Sequence, residues 1–456
     1  MTDKELLEKI TSLIEEKKFS FLRNLMLEMQ PVDISEIFED LSSEQVVIIY
    51  RLLPKELASD VFVEMSSDRQ EELINSFSDY ELKQIIDNLY VDDTADLIEE
   101  MPATVVKRIL KNASAETRRT VNELLNYPES SAGSIMTTEY VSLKKSMTVG
   151  EALEHLRRVA LDRETVYTCY VTDFKRQLLG IVTVKTLLSS NDDVIIEDIM
   201  EQNAIYASTL DDREQVSRLF DKYNCLALPV VDNEQRLVGI ITVDDAIEVL
   251  SEETEEDFAK MAAITPTEKP YLRMGVLDIW KSRIPWLLIL MISATFTGII
   301  ISRFENALHG LAALTIFIPM LMDTGGNSGS QASVTIIRGI SLGEIEFSDI
   351  LKVMWKEFRV SLLCGVALAV TAFFKIILID RLLMGNNEVT VMVAAVVCIT
   401  LVFTVFVAKL IGCSLPVLAK KVGFDPAVMA SPFITTIVDA ISLLVYFGVA
   451  SSLLNF

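Results

Sequence analysis

The chain has 456 residues, half of them apolar, with 65 Asp and Glu against 41 Lys and Arg for a formal net charge of −24. The charge is unevenly spread: from Tyr271 onward there are 11 acidic and 13 basic residues, leaving 54 acids against 28 bases in the first 270. An acidic soluble region followed by a nearly neutral apolar one excludes a single globular domain, and the negative excess argues against nucleic-acid binding because it repels phosphates.

Residues 1–130 read as a helical solenoid. Met1–Phe19 is charged and helical in pattern, without the apolar core of a signal peptide, so no leader is expected. From residue 29 to 124 apolar or small residues recur every 12 positions, at Met29, Leu41, Leu53, Met65, Phe77, Leu89, Met101 and Ala113. A second series follows eight residues after each: Ile37, Ile49, Val61, Leu73, Ile85, Leu97, Ile109 and Val121. Ser, Pro or Asp near most unit starts supplies helix-start chemistry. Each unit is therefore one short helix and a turn, and stacked units bury their stripes against neighbours.

Residues 131–250 hold a duplication. Ile135-Met136 is echoed by Ile199-Met200, and YVTDFKRQLLGIVTV at Tyr170–Val184 by PVVDNEQRLVGIITV at Pro229–Val243. Each copy reads as strand, turn, strand, helix. The pair is similar to tandem cystathionine-β-synthase (CBS) domains, which implies an α/β regulatory module that dimerises and can bind ATP. Cys169, Cys225, Cys364, Cys398 and Cys413 form no C-x-x-C pair, and His155 and His309 have no catalytic neighbourhood, so neither disulfide, zinc nor His-based catalysis is expected.

Residues 251–270 connect this module to the apolar half. The stretch Asp244–Ala263 has no Gly or Pro and predicts a helix dominated by Asp244, Asp245, Glu248, Glu252, Glu253, Glu255, Glu256 and Asp257.

Residues 271–456 contain five apolar stretches: Ile284–Ile301, Leu311–Ile337, Val360–Ile379, Val389–Val407 and Ala427–Phe456. A bilayer core of about 30 Å needs about 20 helical residues, so each is expected to span. Arg338, Lys352, Lys356 and Arg359 follow the second stretch, and Lys409, Lys420 and Lys421 follow the fourth; the alternate segments carry only Arg303, Lys375 and Arg381. The bias predicts a cytoplasmic N-terminus and an external C-terminus.

The second span contains FIPMLMDTGGNSGSQAS at Phe317–Ser333, whose glycines allow close helix packing and whose Asn327, Ser328, Ser330 and Gln331 offer oxygen donors. The fifth follows GFDP and contains SPFITTIVDA, placing Asp439 inside a span, where a carboxylate is costly and points to function. The Thr435 carbonyl lies one turn before it. Pro426 and Pro432 donate no amide hydrogens, which helps leave nearby carbonyls free. Few carboxylates among hydroxyls and amides suit a hard cation that keeps its waters, such as Mg²⁺.

TGGNSGSQAS, GFDPA and SPFITTIVDA, in this order of domains, resemble the MgtE family of bacterial Mg²⁺ channels over the whole chain. The resemblance implies a multidomain membrane protein: a helical solenoid N domain, a tandem CBS pair, an acidic connecting helix and five spans. It implies a homodimer with one pore lined by spans two and five. It implies that Asp439 and the Thr435 carbonyl hold hydrated Mg²⁺, with Asp425 at a peripheral site. It also implies cytosolic Mg²⁺ sensing by Asp60, Asp92, Asp96, Asp212, Glu214, Asp245, Glu248, Glu253, Glu256 and Asp257. Asn224 stands where a ligating Asp is expected, and Ser330 and Ser431 where relatives can carry Asn. The expected function is a Mg²⁺ channel gated closed by its own ion; a CBS-regulated exchanger is the alternative. No nucleophile–base pair or Walker loop suggests an enzyme.

Overall fold

In the computed structural model, ten short helices run from Asp3 to Leu124: α1 (Asp3–Glu15), α2 (Phe19–Leu27), α3 (Pro31–Glu39), α4 (Ser43–Tyr50), α5 (Lys55–Val63), α6 (Ser67–Ser76), α7 (Asp79–Ile86), α8 (Val91–Glu100), α9 (Ala103–Asn112) and α10 (Ala115–Leu124). The structure describes residues 3–267, 271–272, 274–304, 312–386 and 388–454. Met1, His309, Leu311 and Phe456, all invoked from sequence, lie outside the described residues. The chain forms two compact units, Met1–Ser251 and Glu252–Phe456.

The last eight of these helices begin at residues 31, 43, 55, 67, 79, 91, 103 and 115, so the period of 12 is the helix repeat itself. Their starts are chemically marked. Ser42 and Ser78 form reciprocal caps with Gln45 and Glu81, and Pro31 occupies a first turn, where its missing N–H costs nothing. Both apolar series point inward; Met29, Ile37 and Leu89 are only partly covered. Two arginines tie distant turns together. Arg69 donates to the carbonyls of Glu39 and Leu41 at the end of α3, and Arg108 to those of Ile74 and Phe77 at the end of α6. Both add a charged donor to carbonyls near a helix end.

The duplication folds as two matching three-stranded sheets. Strands β1 (Ser142–Lys144), β2 (Thr168–Thr172) and β3 (Leu178–Thr183) form one; β4 (Ala207–Ser208), β5 (Ala227–Val231) and β6 (Leu237–Thr242) form the other. In each, the first pair is parallel and the second antiparallel, with Tyr170 opposite Ile181 and Pro229 opposite Ile240. Helices α11 (Val149–Val159), α12 (Val184–Ser189), α13 (Ile196–Ile199) and α14 (Arg213–Tyr223) complete the pair. Helix α15 (Val243–Met261) begins with Asp244 and Asp245 in its first turn and crosses the boundary between the two units.

The second unit is built from α16 (Val276–Arg303), α17 (Ile318–Ser341), α18 (Ile350–Lys375), α19 (Val391–Val422) and α20 (Ser431–Leu454). Among the described residues four helices are long and apolar enough to cross a membrane: Val276–Arg303, Phe347–Leu383, Val391–Val422 and Pro426–Leu453. Helix α17 has 24 residues, about 36 Å at 1.5 Å per residue, but its central TGGNSGSQ makes it more polar. One expectation is corrected. Helix α19 runs on to Val422, so Lys409, Lys420 and Lys421 all lie on it rather than in a connecting segment; Lys420 and Lys421 sit in its last turn, whereas Lys409 is buried within it, 3.6 Å from the carboxylate of Glu357.

Helix α17 packs into α19 and α20 through its glycines. A Cβ on Gly329 would sit 2.9 Å from Ile434 Cγ2 and 3.2 Å from the Ala408 carbonyl oxygen. A Cβ on Gly412 of α19 would collide with the Gly329 carbonyl, so the two backbones touch directly. Gly412→Val is expected to cost more than the about 1–3 kcal/mol of ordinary overpacking, because the obstacle is backbone. Thermal size-exclusion chromatography should show a lowered midpoint or no folded protein. Gly298→Ala, with open space around it, should leave the midpoint unchanged.

Candidate ion sites

Asp439 is half-buried in α20 and lies against the glycine face of α17: its Oδ1 is 3.7 Å from where a Cβ on Gly326 would sit. Thr435, one turn earlier, faces the same glycine; a Cβ there would meet its Cγ2 at 3.0 Å. The Pro432 carbonyl accepts from the hydroxyls of Thr435 and Thr436 at 2.9 and 3.0 Å. In an unbroken helix the Thr435 carbonyl serves the i+4 N–H and keeps one lone pair for a ligand. On α17, Asp323, Asn327 and Gln331 recur every four residues and are exposed along one face of the single chain. Ser333 turns inward to donate to the Met429 carbonyl, and the buried Ser330 hydroxyl has no partner among the described residues. Among the described residues no three His, Cys, Asp or Glu side chains converge to hold a metal directly. One carboxylate among neutral oxygens suits a cation that retains its water shell.

At the other end of these helices, Asp425 caps a short turn, Pro426–Met429, accepting from the Ala427 N–H at 2.8 Å. Its second oxygen lies 2.7 Å from Lys260 Nζ, which also reaches Glu256 Oε1 at 2.6 Å. The adjacent Asp257 accepts from Ser341 Oγ at 3.2 Å, and burial followed by the nearby Asp425 pushes its carboxyl above the usual range. Met261 packs on Ile337, Ala427 and Ala430. The end of α15 is thus seated on the ends of α17 and the turn before α20.

A second acidic cluster lies within the first unit. Burial, followed by Asp93 and Asp245, pushes Asp92 up to about 7. Burial and Asp245 push Asp93 to about 7; burial, then Asp92 and Asp93, push Asp96 to about 8. Glu164, just before β2, rises to about 9 from burial and then Asp92 and Asp93. Asp245 is also raised by burial, although it accepts from the hydroxyl and the N–H of Thr242. One buried oxygen each of Asp92 and Glu164 has no hydrogen-bond partner among the described residues. Packed carboxylates raise one another's proton affinity this way when no cation neutralises them, and a divalent ion would lower it.

The remaining residues singled out from sequence are placed differently. Asp60 is raised by burial and then Glu56. Asp212 caps α14, accepting from the Gln215 N–H at 3.0 Å, and Glu214 pairs with Arg218. Asn224 ends α14 in the left-handed conformation, φ 52°, which Asn tolerates better than most residues. Its identity therefore has a backbone reason. Glu248 and Glu253 lie on α15 on either side of the boundary between the units. Asp93, Glu164 and Lys260 were missed. Asp93 sits beside an expected ligand in VDDTAD, a legible signal; Glu164 and Lys260 have no local motif and acquire their places only through tertiary packing. All five cysteines are free.

Comparison with known proteins agrees with this arrangement. A family model described as a divalent cation transporter, MgtE, matches residues 318–449; the MgtE intracellular N domain matches 29–130, and CBS domains match 132–192 and 196–252. The magnesium transporter MgtE of Thermus thermophilus is 34% identical over 99% of both chains. That of Bacillus subtilis is 32% identical over 100% of this chain and 99% of its own. The crystal structure of the cytosolic domain of the Mg²⁺ channel MgtE in complex with ATP is 35% identical, with a TM-score of 0.51, covering 54% of this chain and 100% of that one. The soluble part of a magnesium transporter is 28% identical, with a TM-score of 0.52, over 55% of this chain and 99% of its own. The chain belongs to the MgtE family of divalent cation transporters, membrane proteins that move ions and are not enzymes.

Proposed function

We propose that the chain is a Mg²⁺ channel of the cytoplasmic membrane, closed by cytosolic Mg²⁺ bound to its own carboxylates. The observation that carries this reading is the polar face of α17, Asp323, Asn327 and Gln331, on a helix that also packs against Asp439. In lipid such a face is costly; lining an aqueous path shared with a second copy removes the cost. The unit then has five spans, α17 included, and the protein is a homodimer. Asp439 and the Thr435 carbonyl hold hydrated Mg²⁺, with Asp425 at the periphery. Arg338, Lys352, Lys356, Arg359, Lys420 and Lys421 support a cytoplasmic position for that end of the helices even without Lys409. The N-terminus is cytoplasmic and the C-terminus external.

The domains in this reading are a solenoid at 1–130, a CBS pair at 131–250, a connecting helix and linker at 251–270 and a membrane domain from 271. Asp60, Asp92, Asp96, Asp212, Glu214, Asp245, Glu248, Glu253, Glu256 and Asp257 sense Mg²⁺. The relative solved with ATP supports ATP at the CBS pair. Swinging a gate from mostly open to mostly closed takes about 5.5 kcal/mol, which several weak Mg²⁺ sites supply together. Patch recordings with cytosolic Mg²⁺ varied test the proposal. Currents should follow the Mg²⁺ gradient and voltage, and shut at millimolar cytosolic Mg²⁺. Flux that instead requires a proton gradient would overturn conduction in favour of exchange.

A further inference from the structure

The end of α15 is fastened to the membrane unit by a positive side chain. Lys260 Nζ stands between Glu256 Oε1, 2.6 Å away on its own helix, and Asp425 Oδ2, 2.7 Å away on the turn before α20. The lysine side chain is only 23% exposed, so this pair is shielded from solvent more than an ordinary surface ion pair. Next to it Asp257 holds the Ser341 hydroxyl at the end of α17, and Met261 covers an apolar patch formed with Ala427 and Ala430. Glu256, Asp257 and Asp425 would repel one another across this seam; one ammonium placed among them reverses part of that repulsion.

We propose that Lys260 is a positioning residue, a tethered cation that holds the end of α15 on the membrane unit without any bound metal. The inference rests on the reading that this helix end closes the ion path. It assigns closure to two sources: the lysine neutralises one carboxylate permanently, and a divalent ion is needed only for the charge that remains. Full opening then requires Lys260 to leave Asp425, while its bond to Glu256 can travel with the helix.

Hydrogen exchange of the purified full-length protein, read by mass spectrometry over residues 252–261, tests this. In EDTA the wild type should protect the segment. Lys260→Met should exchange about tenfold faster there, the size expected for losing a charge-assisted hydrogen bond, and regain protection in millimolar Mg²⁺. Lys260→Arg, which keeps the charge and reach, should retain protection in EDTA. Unchanged protection in Lys260→Met, with an unchanged melting midpoint, would overturn the tether. So would loss of protection in both variants alike. Mg²⁺ uptake by wild-type proteoliposomes is measured separately: absent uptake with the exchange pattern intact sinks the channel reading and leaves the tether standing, and the reverse result does the opposite.

Discussion

Asp439→Ala is expected to abolish Mg²⁺ uptake in a Mg²⁺-auxotrophic host while the protein still folds and dimerises. Asp439 is the sole acidic or basic residue of α20, so no neighbour on that helix can take over its charge. A carboxylate about 5 Å from a divalent ion at an effective dielectric of about 20 contributes about 6.6 kcal/mol. If a third of that survives screening, its loss still means about a fortyfold drop in occupancy. Asp439→Asn preserves shape and loses charge, so it should fail nearly as badly. Normal growth and uptake with the Asn variant, at wild-type expression and melting midpoint, would remove Asp439 from the pathway.

The acidic cluster of the first unit makes the second large prediction, and its sign follows from proton linkage. The carboxyls of Asp92, Asp93, Asp96 and Glu164 titrate near 7, 7, 8 and 9 when folded, well above their unfolded range. The folded form therefore holds extra protons between about pH 4 and 9, and stability falls as pH rises through that window. In EDTA the melting midpoint of the cytosolic unit should drop by about 10 °C between pH 6 and 8.5, taking about 3 kcal/mol after discounting for solvent and about 2–4 °C per kcal/mol. Millimolar Mg²⁺ at pH 8.5 should restore most of it. The double variant Asp92→Asn, Asp96→Asn should melt higher than wild type in EDTA at pH 8.5, because repulsion is gone, and gain little from Mg²⁺, because the ligands are gone. Equal Mg²⁺ stabilisation of the two proteins would show that Asp92 and Asp96 are not ligands of the ion.

Features repeated along the chain were legible before the structure. The 12-residue period located eight helix starts, and the duplicated YVTDFKRQLLGIVTV and PVVDNEQRLVGIITV located β2, β3, β5 and β6, since both signals are local and doubled. Strands β1 and β4 were not legible: at three and two residues they are too short to show alternation. The apolar helices are visible by hydropathy, but Lys409 reads as part of a connection because a charge reads as an end. Only the approach of Glu357 from α18 explains how the helix carries it through. Asp439 stood out because charge inside an apolar run is rare, whereas Glu164 and Lys260 look like any surface residues until distant segments surround them.

The crossing of Gly329 over Gly412 fixes how α17 can move. Where side chains separate two helices, they yield and let one helix slide or roll; here backbone meets backbone, with no cushion to compress. The contact is a fulcrum. Force applied at Ser341, the end of α17 gripped by Asp257, turns the helix about that point as a lever. Gly326, one turn beyond the contact and beside Asp439, then tilts opposite to that end, and by less because its arm is shorter. Under the proposed function, a pull from the acidic helix would reach Asp439 as a tilt of its glycine wall rather than as a slide along the helix.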